Sequence, residues 1–166
     1  PAPAPSASVK TAIADCDIHP ARATATELYP FLAKRWHAHL ETYGKQAYQG
    51  MMEGTPYPKA QPNASRRDAW PPEGGPQGSS LSFMQKQHLD PYDVEFGILQ
   101  VLDLFIFSQQ NLECGAAIQR AINEWQLAHW AHRDPRLKAS IVVCQDDTAA
   151  AIEEIERCAK VGEYIQ

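Results

Sequence analysis

The sequence lacks two features that would assign it to a specialised class of protein. It has no excess of basic residues, because 15 lysines and arginines stand against 20 aspartates and glutamates, a formal net charge of -5. We therefore expect no nucleic-acid partner and no membrane partner. Its apolar stretches, such as residues 104–107, are far shorter than the roughly 20 residues that cross a bilayer. Because no signal peptide is recognisable either, the sequence predicts a cytoplasmic protein.

Cysteine is scarce and widely spaced, and several catalytic motifs are missing. The four cysteines form no C-x-x-C pair, which argues against a disulfide scaffold and a zinc knuckle, so we expect reduced thiols. The sequence contains no G-x-G-x-x-G turn after a strand, no Walker loop and no G-x-S-x-G elbow. These absences disfavour nucleotide binding and catalysis by a serine nucleophile.

The length of 166 residues suits one domain, whereas a complete (β/α)8 barrel needs about 250 residues. Residues 1–10 begin with alternating proline and alanine and are predicted to be a disordered tail. Residues 11–166 are predicted to fold, with a long irregular insertion loop over residues 44–90. Within that loop, residues 53–78 contain six prolines and four glycines, too many for a helix or strand interior.

Strands and helices alternate along the folded part, a pattern typical of an α/β fold with about four parallel strands and helices outside the sheet. In the last helix, Ile152, Ile155 and Ala159 recur at helical spacing and are expected to face inward. The predicted strands are residues 11–19, 96–102, 139–144 and 163–166, with 104–107 as a further part of the second strand or a buried loop. The predicted helices are 27–43, 81–90, one capped by Asn111, and one capped by Asp146 or Asp147.

The first predicted strand carries the most informative pattern, in which Asp15, Asp17 and His19 share one face. Strands of parallel sheets are usually buried, so three ionisable groups on one face are costly unless something compensates their charge. A divalent cation is the simplest compensator, and Asp-x-His offers an oxygen and a nitrogen ligand suited to zinc or manganese. The alternative is a solvated strand end whose polar residues cap the following turn.

Further candidate residues lie in the insertion loop and beside the second strand. Arg66, with Tyr57 and Trp70 in the same loop, could clamp a substrate carboxylate by bidentate hydrogen bonds. Because a disordered linker tends to lack aromatic residues, Tyr57 and Trp70 favour an ordered loop. His88 could line the substrate pocket. The alternatives are a solvated arginine at position 66 and a histidine on a helix surface at position 88.

Five segments carry a further signal through their order and spacing: IADCDIHP, ELYPFLAKRW, DAWPPEGGPQG, QHLD and RAINEWQLAHWAHRDPRLKASIVV. Together they resemble the amidohydrolase-related family, often labelled amidohydrolase 2. The resemblance implies a (β/α)8 TIM-type barrel whose first strand binds metal through H-x-H or a variant. It also implies hydrolysis of amide-like or ester-like bonds, or decarboxylation of small acids. By this resemblance Asp17 and His19 are metal ligands, with Asp17 in place of the commoner histidine.

The resemblance covers only four of the eight strands. The family's other metal ligands and its catalytic aspartate come from the fifth, sixth and eighth strands. We therefore expect the N-terminal half of a barrel, inactive alone. Either a second polypeptide or a homo-oligomer completes it, or the sequence is a fragment of a longer enzyme. The open edges of such a half-barrel also favour association with a partner.

The expected function is metal-dependent hydrolysis of a small-molecule amide, ester or lactone. The alternatives are a metal-dependent decarboxylase of a small acid and a non-catalytic half-barrel binding subunit. The expected cofactor is a divalent metal ion, zinc first and manganese as the alternative.

Overall fold

The computed structural model describes residues 11–43, 66–102 and 111–166. In this part of the chain, three parallel strands form one sheet in the order β1-β2-β3. The prediction of an α/β fold with parallel strands is confirmed. The strands are Ile13–Ile18 (β1), Val94–Leu99 (β2) and Leu137–Ala139 (β3). The α-helices are Lys34–Tyr43 (α1), Leu81–Met84 (α2), Leu112–Gln126 (α3) and Thr148–Cys158 (α4), with 3-10 helices at Ala25–Phe31 and Arg67–Ala69 and π-helical turns at Gln85–Leu89 and Leu127–Ala131.

The pairing of β1 with β2 is irregular near the end of β1. Asp15 lies opposite Gly97 and Ile18 lies opposite Leu99. Between these two pairs β1 therefore has one more residue than β2, which is a β-bulge. Bulges redirect side chains, so the simple alternation expected for residues 15–19 does not hold through this part of β1.

The single helix predicted over residues 27–43 is two elements, the 3-10 helix and α1. Pro30 lies inside the 3-10 helix, where it has no backbone N–H to donate. The backbone is extended at Leu32, which ends the first element. The apolar residues at four-residue spacing that predict this helix nevertheless face the core, since three of them are buried: Leu28, Leu32 and Trp36.

The third strand lies earlier than the predicted residues 139–144. Beyond Ala139, amide side chains of α3 occupy backbone groups that a neighbouring strand would otherwise take. Asn123 accepts from the N–H of Val142 at 2.8 Å and donates to its carbonyl at 2.9 Å. Gln119 accepts from the N–H of Cys144, and Gln126 donates to the carbonyl of Ser140.

The predicted fourth strand joins the sheet through one parallel bridge between Ala139 and Tyr164. Ile165 donates to the carbonyl of Ala139 at 3.1 Å, and Ile141 donates to the carbonyl of Gln166 at 2.6 Å. Residues 163–166 therefore lie beside β3 in the expected direction, without the length of a strand.

An ion pair between buried Asp134 and partly exposed Arg136 precedes β3. Arg136 donates two hydrogen bonds to the carboxylate of Asp134, at 2.9 and 2.6 Å, and Gln85 donates a third at 2.9 Å. The Arg136 and Gln85 bonds lower the pKa of Asp134 to about 2, against the opposing effect of burial. The Gln85 bond joins the end of α2 to Asp134. The carbonyl of Arg136 accepts from the N–H of Gly97, so the same pair also contacts β2 at the start of β3.

The inward face predicted for α4 is wrong. Glu154 and Cys158 are buried, whereas Ile152 is 51% exposed and Ile155 is 44% exposed, and Ala159 is also exposed. Arg157 donates two hydrogen bonds to the Glu154 carboxylate and Asn123 donates one. Although burial raises the pKa of Glu154, these bonds hold it below its ordinary value. The polar face can therefore pack on α3 with its charge satisfied.

The remaining expectations concern thiols, membrane insertion and the ends of the loops. All four cysteines are free, and burial with the charge of Glu154 raises the pKa of Cys158 to about 12. Within the described ranges, no helix has the length and apolarity to cross a membrane. The tail, Tyr57, residues 104–107 and the insertion up to residue 65 lie outside the described residues.

Gly97 lies in β2 at a position with no room for a larger side chain. A Cβ there would lie 2.6 Å from Cδ1 of Ile18 and 2.9 Å from Cδ2 of Leu137. We expect Gly97→Ala to lower the free energy of unfolding by about 1–3 kcal/mol through overpacking, measured by urea denaturation. Gly162→Ala is the control, since its Cβ would meet nothing within 4 Å; equal stability losses in the two variants would contradict this explanation.

Candidate active site

Two carboxylate–imidazole pairs lie at the C-terminal end of β1. In the first, Oδ1 of Asp17 is 3.3 Å from Nε2 of His19. In the second, Oδ2 of Asp15 is 2.6 Å from Nε2 of His88, which comes from the π-helical turn after α2. The structure thus places Asp17, His19 and His88 near one strand end, and it bonds His88 to Asp15, which the strand pattern had already grouped with Asp17 and His19.

Gln100, which directly follows β2, holds the end of β1 in three ways. Its side-chain amide donates to the carbonyl of Cys16 at 2.9 Å, and its backbone N–H donates to the carbonyl of Ile18 at 2.7 Å. Its own carbonyl lies 2.9 Å from Nδ1 of His19. Because a carbonyl only accepts, Nδ1 of His19 donates to it, and Nε2 is the nitrogen turned toward Asp17.

Both carboxylate oxygens of Asp15 are engaged. Oδ1 accepts a hydrogen bond from the backbone N–H of Asp17 at 3.0 Å. Oδ2 is hydrogen-bonded to Nε2 of His88 at 2.6 Å. The first bond is a local turn across the bulge, so the Asp15 side chain helps to set the direction of Asp17. Asp15 therefore connects the first pair to the second.

A cavity of about 290 Å3 opens beside these pairs. Asp15, Asp17 and His88 form its polar side, and side chains of α2 form an apolar side. None of the described residues that line it is a lysine or an arginine. The apolar lining comes from Phe83 and Met84 of α2, together with Ile18 and Ala69.

A larger cavity of about 440 Å3 lies at the opposite end of the strands, beside Val94 and Arg136. The Arg136 guanidinium is already bonded to Asp134 and Asp90 there. The carboxyl ends of parallel strands are where α/β folds place their sites, so the smaller cavity is the better candidate.

The segment before α2 lies against the end of β1. Ala21 donates to the carbonyl of Gly78 at 2.8 Å. Gly78 has a φ of +76°, and a Cβ on it would lie 2.5 Å from the carbonyl oxygen of His19. This close approach requires glycine at position 78.

The two predicted loop residues that the structure describes lie apart from the cavity lining. The Arg66 guanidinium binds both carboxylate oxygens of Asp68, at 3.0 and 2.5 Å, and is exposed. Trp70 is also exposed. The hydrogen bond to Asp68 is the first cause of the raised pKa of Arg66. Arg66, predicted to bind a substrate carboxylate, is therefore already bound to the carboxylate of Asp68.

Sequence patterns alone did not identify Gln100 or the α2 side chains. Gln100 had one usable signal, because a polar residue directly after β2 lies near the end of β1 in a parallel sheet. Phe83 and Met84 had none, since apolar residues on a short helix are expected in a core.

The geometry of the first pair suits two ligands of one metal ion. Its oxygen–nitrogen separation of 3.3 Å is close to that of two ligands on a tetrahedral zinc with bonds of about 2.0–2.2 Å. The backbone carbonyl on Nδ1 of His19 is the usual outer partner of a metal-binding imidazole. Over the described ranges, no group of three or more His, Cys, Asp or Glu side chains could hold a metal ion, so the pair supplies at most two ligands.

Comparison with known proteins adds one finding. The sequence model of the family described as Amidohydrolase matches residues 14–164. The match includes β1 from Ala14 onward, the residues of both pairs and the bridge to β3. No curated protein matches the chain.

Gly78→Ala should disturb the carbonyl of His19 as well as strain the loop. We expect faster amide hydrogen exchange in the peptide that contains residues 11–22, measured by mass spectrometry. Gly74→Ala is the matched control, because Gly74 has a φ of +99° but its Cβ would meet nothing within 4 Å. Both variants carry the left-handed backbone cost of about 1–2 kcal/mol. Equal exchange in that peptide would contradict a role for the contact.

Proposed function

The chain belongs to the amidohydrolase family, and from this premise we propose that it is the N-terminal half of a metal-dependent hydrolase barrel. Family membership supports a hydrolase-type function in general. The observation that supports metal dependence is the first pair, in which Oδ1 of Asp17 lies 3.3 Å from Nε2 of His19, the nitrogen not bonded to the Gln100 carbonyl. Asp17 and His19 are proposed as two ligands of a divalent ion, zinc first and manganese as the alternative.

The residues of this chain have different proposed roles at the site. Asp17 and His19 would hold the ion, and Gln100 keeps the His19 ring in that orientation. A bound ion there would supply a water of lowered pKa or would polarise a substrate carbonyl. Asp15 fixes the backbone at Asp17, and the apolar side of the cavity excludes water from the bound substrate.

The proposed substrate is a neutral small molecule with an amide, ester or lactone group. Two carboxylates line the cavity, and no lysine or arginine among the described residues does so. An anionic substrate would be repelled by Asp15 and Asp17 unless the metal bound its charge. This favours hydrolysis over the alternative, which is decarboxylation of a small acid. Product analysis distinguishes the two reactions, because only decarboxylation releases carbon dioxide.

A second polypeptide, or the other half of a longer chain, is proposed to complete the site, with a homo-oligomer as the alternative. A catalytic zinc takes about three protein ligands, and the first pair supplies two. In the described sheet β1 pairs only with β2, and Ile13 on β1 is 43% exposed. The outward apolar face of α4, defined by Ile152 and Ile155, is a second surface for a partner.

We predict that zinc binding depends on the first pair. In isothermal titration calorimetry, the double variant Asp17→Ala, His19→Ala should bind zinc at least about tenfold more weakly than the original chain, because both ligands are lost. His132→Gln is the control, since His132 is exposed on the surface and its closest carboxylate, Glu163, is 4.0 Å away. Unchanged zinc affinity in the double variant would refute the metal site and favour a non-catalytic binding subunit.

We predict that the outward face of α4 takes part in association. Burial of an isoleucine is worth about 1.5–3 kcal/mol, so Ile152→Ser with Ile155→Ser should weaken association more than tenfold in sedimentation velocity. Glu153→Gln with Glu156→Gln changes polar neighbours on the same helix and serves as the control. A chain that sediments as a monomer at every concentration would exclude the homo-oligomer.

A further inference from the structure

We propose that Phe83 is a specificity-determining residue, whose ring packs against an uncharged apolar group about the size of a benzene ring on the substrate. The inference rests on the proposed hydrolase function and deepens it, because it describes the part of the substrate that does not react. It gives a role in recognition to an aromatic side chain that is otherwise expected in a core.

The packing of α2 carries the inference. No residue of α2 is buried. Leu81 and Met84 are partly buried and pack against the hydrophobic core, whereas Phe83, also partly buried, is not among the described side chains that pack there. Phe83 lines the cavity instead. Because an aromatic side chain gains most when its whole surface leaves water, a phenyl ring left open to a cavity has surface available for a ligand.

The ring of Phe83 has no aromatic neighbour in the described part of the chain. The ring contacts there join other residues, such as Trp125 with His129, and none includes Phe83. Met84 and Ile18 line the same cavity and extend the apolar surface beside the ring. Thioethers and rings both contact apolar and aromatic groups favourably, so this side of the cavity suits an apolar group from outside the chain.

The cavity has room for an apolar group and a reacting carbonyl together. Its volume is about 290 Å3, and an apolar cavity of about 150 Å3 is large enough for benzene. Asp17 of the first pair and Phe83 line the same cavity. A bound molecule would therefore have its polar, uncharged carbonyl end toward the first pair and its apolar end on the ring.

Hydrogen bonds hold Phe83 in place relative to the end of β1. The backbone N–H of Phe83 donates to Oγ of Ser80 at 3.3 Å, and that hydroxyl donates to the carboxylate of Glu73 at 2.5 Å. Just before Ser80, the carbonyl of Gly78 accepts from Ala21, shortly after β1. The ring is thus positioned before a substrate arrives, which reduces the entropy lost on binding.

The test measures the binding of two neutral amides, benzamide and acetamide, to the full, metal-free chain by NMR titration. The two probes share the carboxamide and differ in the ring. We expect the original chain to bind benzamide about fivefold more tightly or better, because burial of the ring on the apolar side adds to affinity. Equal affinities for the two amides would overturn the proposal without the need for a variant.

Phe83→Ala should weaken benzamide binding about fivefold or more and leave acetamide binding unchanged, because only the ring-bearing amide contacts Phe83. Phe83→Gln keeps the length of the side chain without its apolar surface and should show the same loss, so the test survives if the alanine variant does not fold. An equal loss for both amides, or no loss for benzamide in a folded variant, would overturn the proposal.

Tyr92→Ala is the control for aromatic surface outside the cavity. Tyr92 is 55% exposed and does not line the cavity, although its ring lies 5.7 Å from that of His88. The control should bind both amides as the original chain does. A loss of benzamide binding equal to that of Phe83→Ala would assign the preference to the exposed surface and overturn the role of Phe83.

Zinc titration distinguishes failure of this proposal from failure of the proposed function. Phe83→Ala should bind zinc as tightly as the original chain, and a tenfold loss would make Phe83 a support of the metal site and overturn its role in selection. If the original chain binds zinc but does not prefer benzamide, the metal site stands and the apolar subsite fails. If it prefers benzamide through Phe83 but does not bind zinc, the metal site fails and the subsite stands.

Discussion

The hydrogen bonds between Gln100 and the end of β1 are the constraint on which the candidate site depends. They hold the carbonyls of Cys16 and Ile18 and select the tautomer of His19. Residues on a strand end are loosely directed by the sheet alone, because pairing stops there. Gln100, directly after the neighbouring strand, supplies further bonds to the bulged segment and fixes the His19 ring beside Asp17.

A second constraint lies between α3 and α4, where polar groups pack instead of apolar ones. Glu154 is buried because Arg157 and Asn123 satisfy its carboxylate. Asn123 also bonds both backbone groups of Val142, so one side chain joins a helix to the backbone after β3. The consequence is that Ile152 and Ile155 face outward, which connects an internal polar network to the surface proposed for a partner.

Much of the fold could be predicted from local patterns, since period and caps are local properties. Asn111 and Asp147 do cap α3 and α4, and β1 lies within the predicted residues 11–19. The inward face of α4 could not be predicted, because burial of Glu154 depends on partners from another helix. The break in the predicted helix 27–43 had a local signal in Pro30, but the apolar spacing across it pointed to continuity.

By itself the sequence determined the alternation of strands and helices, the D-x-D-x-H pattern of β1 and the family to which the chain belongs. These features depend on residue types and short spacings. They can be inferred from sequence because local sterics and periodic burial give strands and helices different spacings of apolar residues. Only the tertiary structure decided that His88 meets Asp15, that Arg66 is bound by Asp68, and that a glycine lies on the carbonyl of His19. The physical reason is that a polar group bonds whichever partner the folded chain brings within about 3 Å, and across a loop that partner is set by packing rather than by sequence distance.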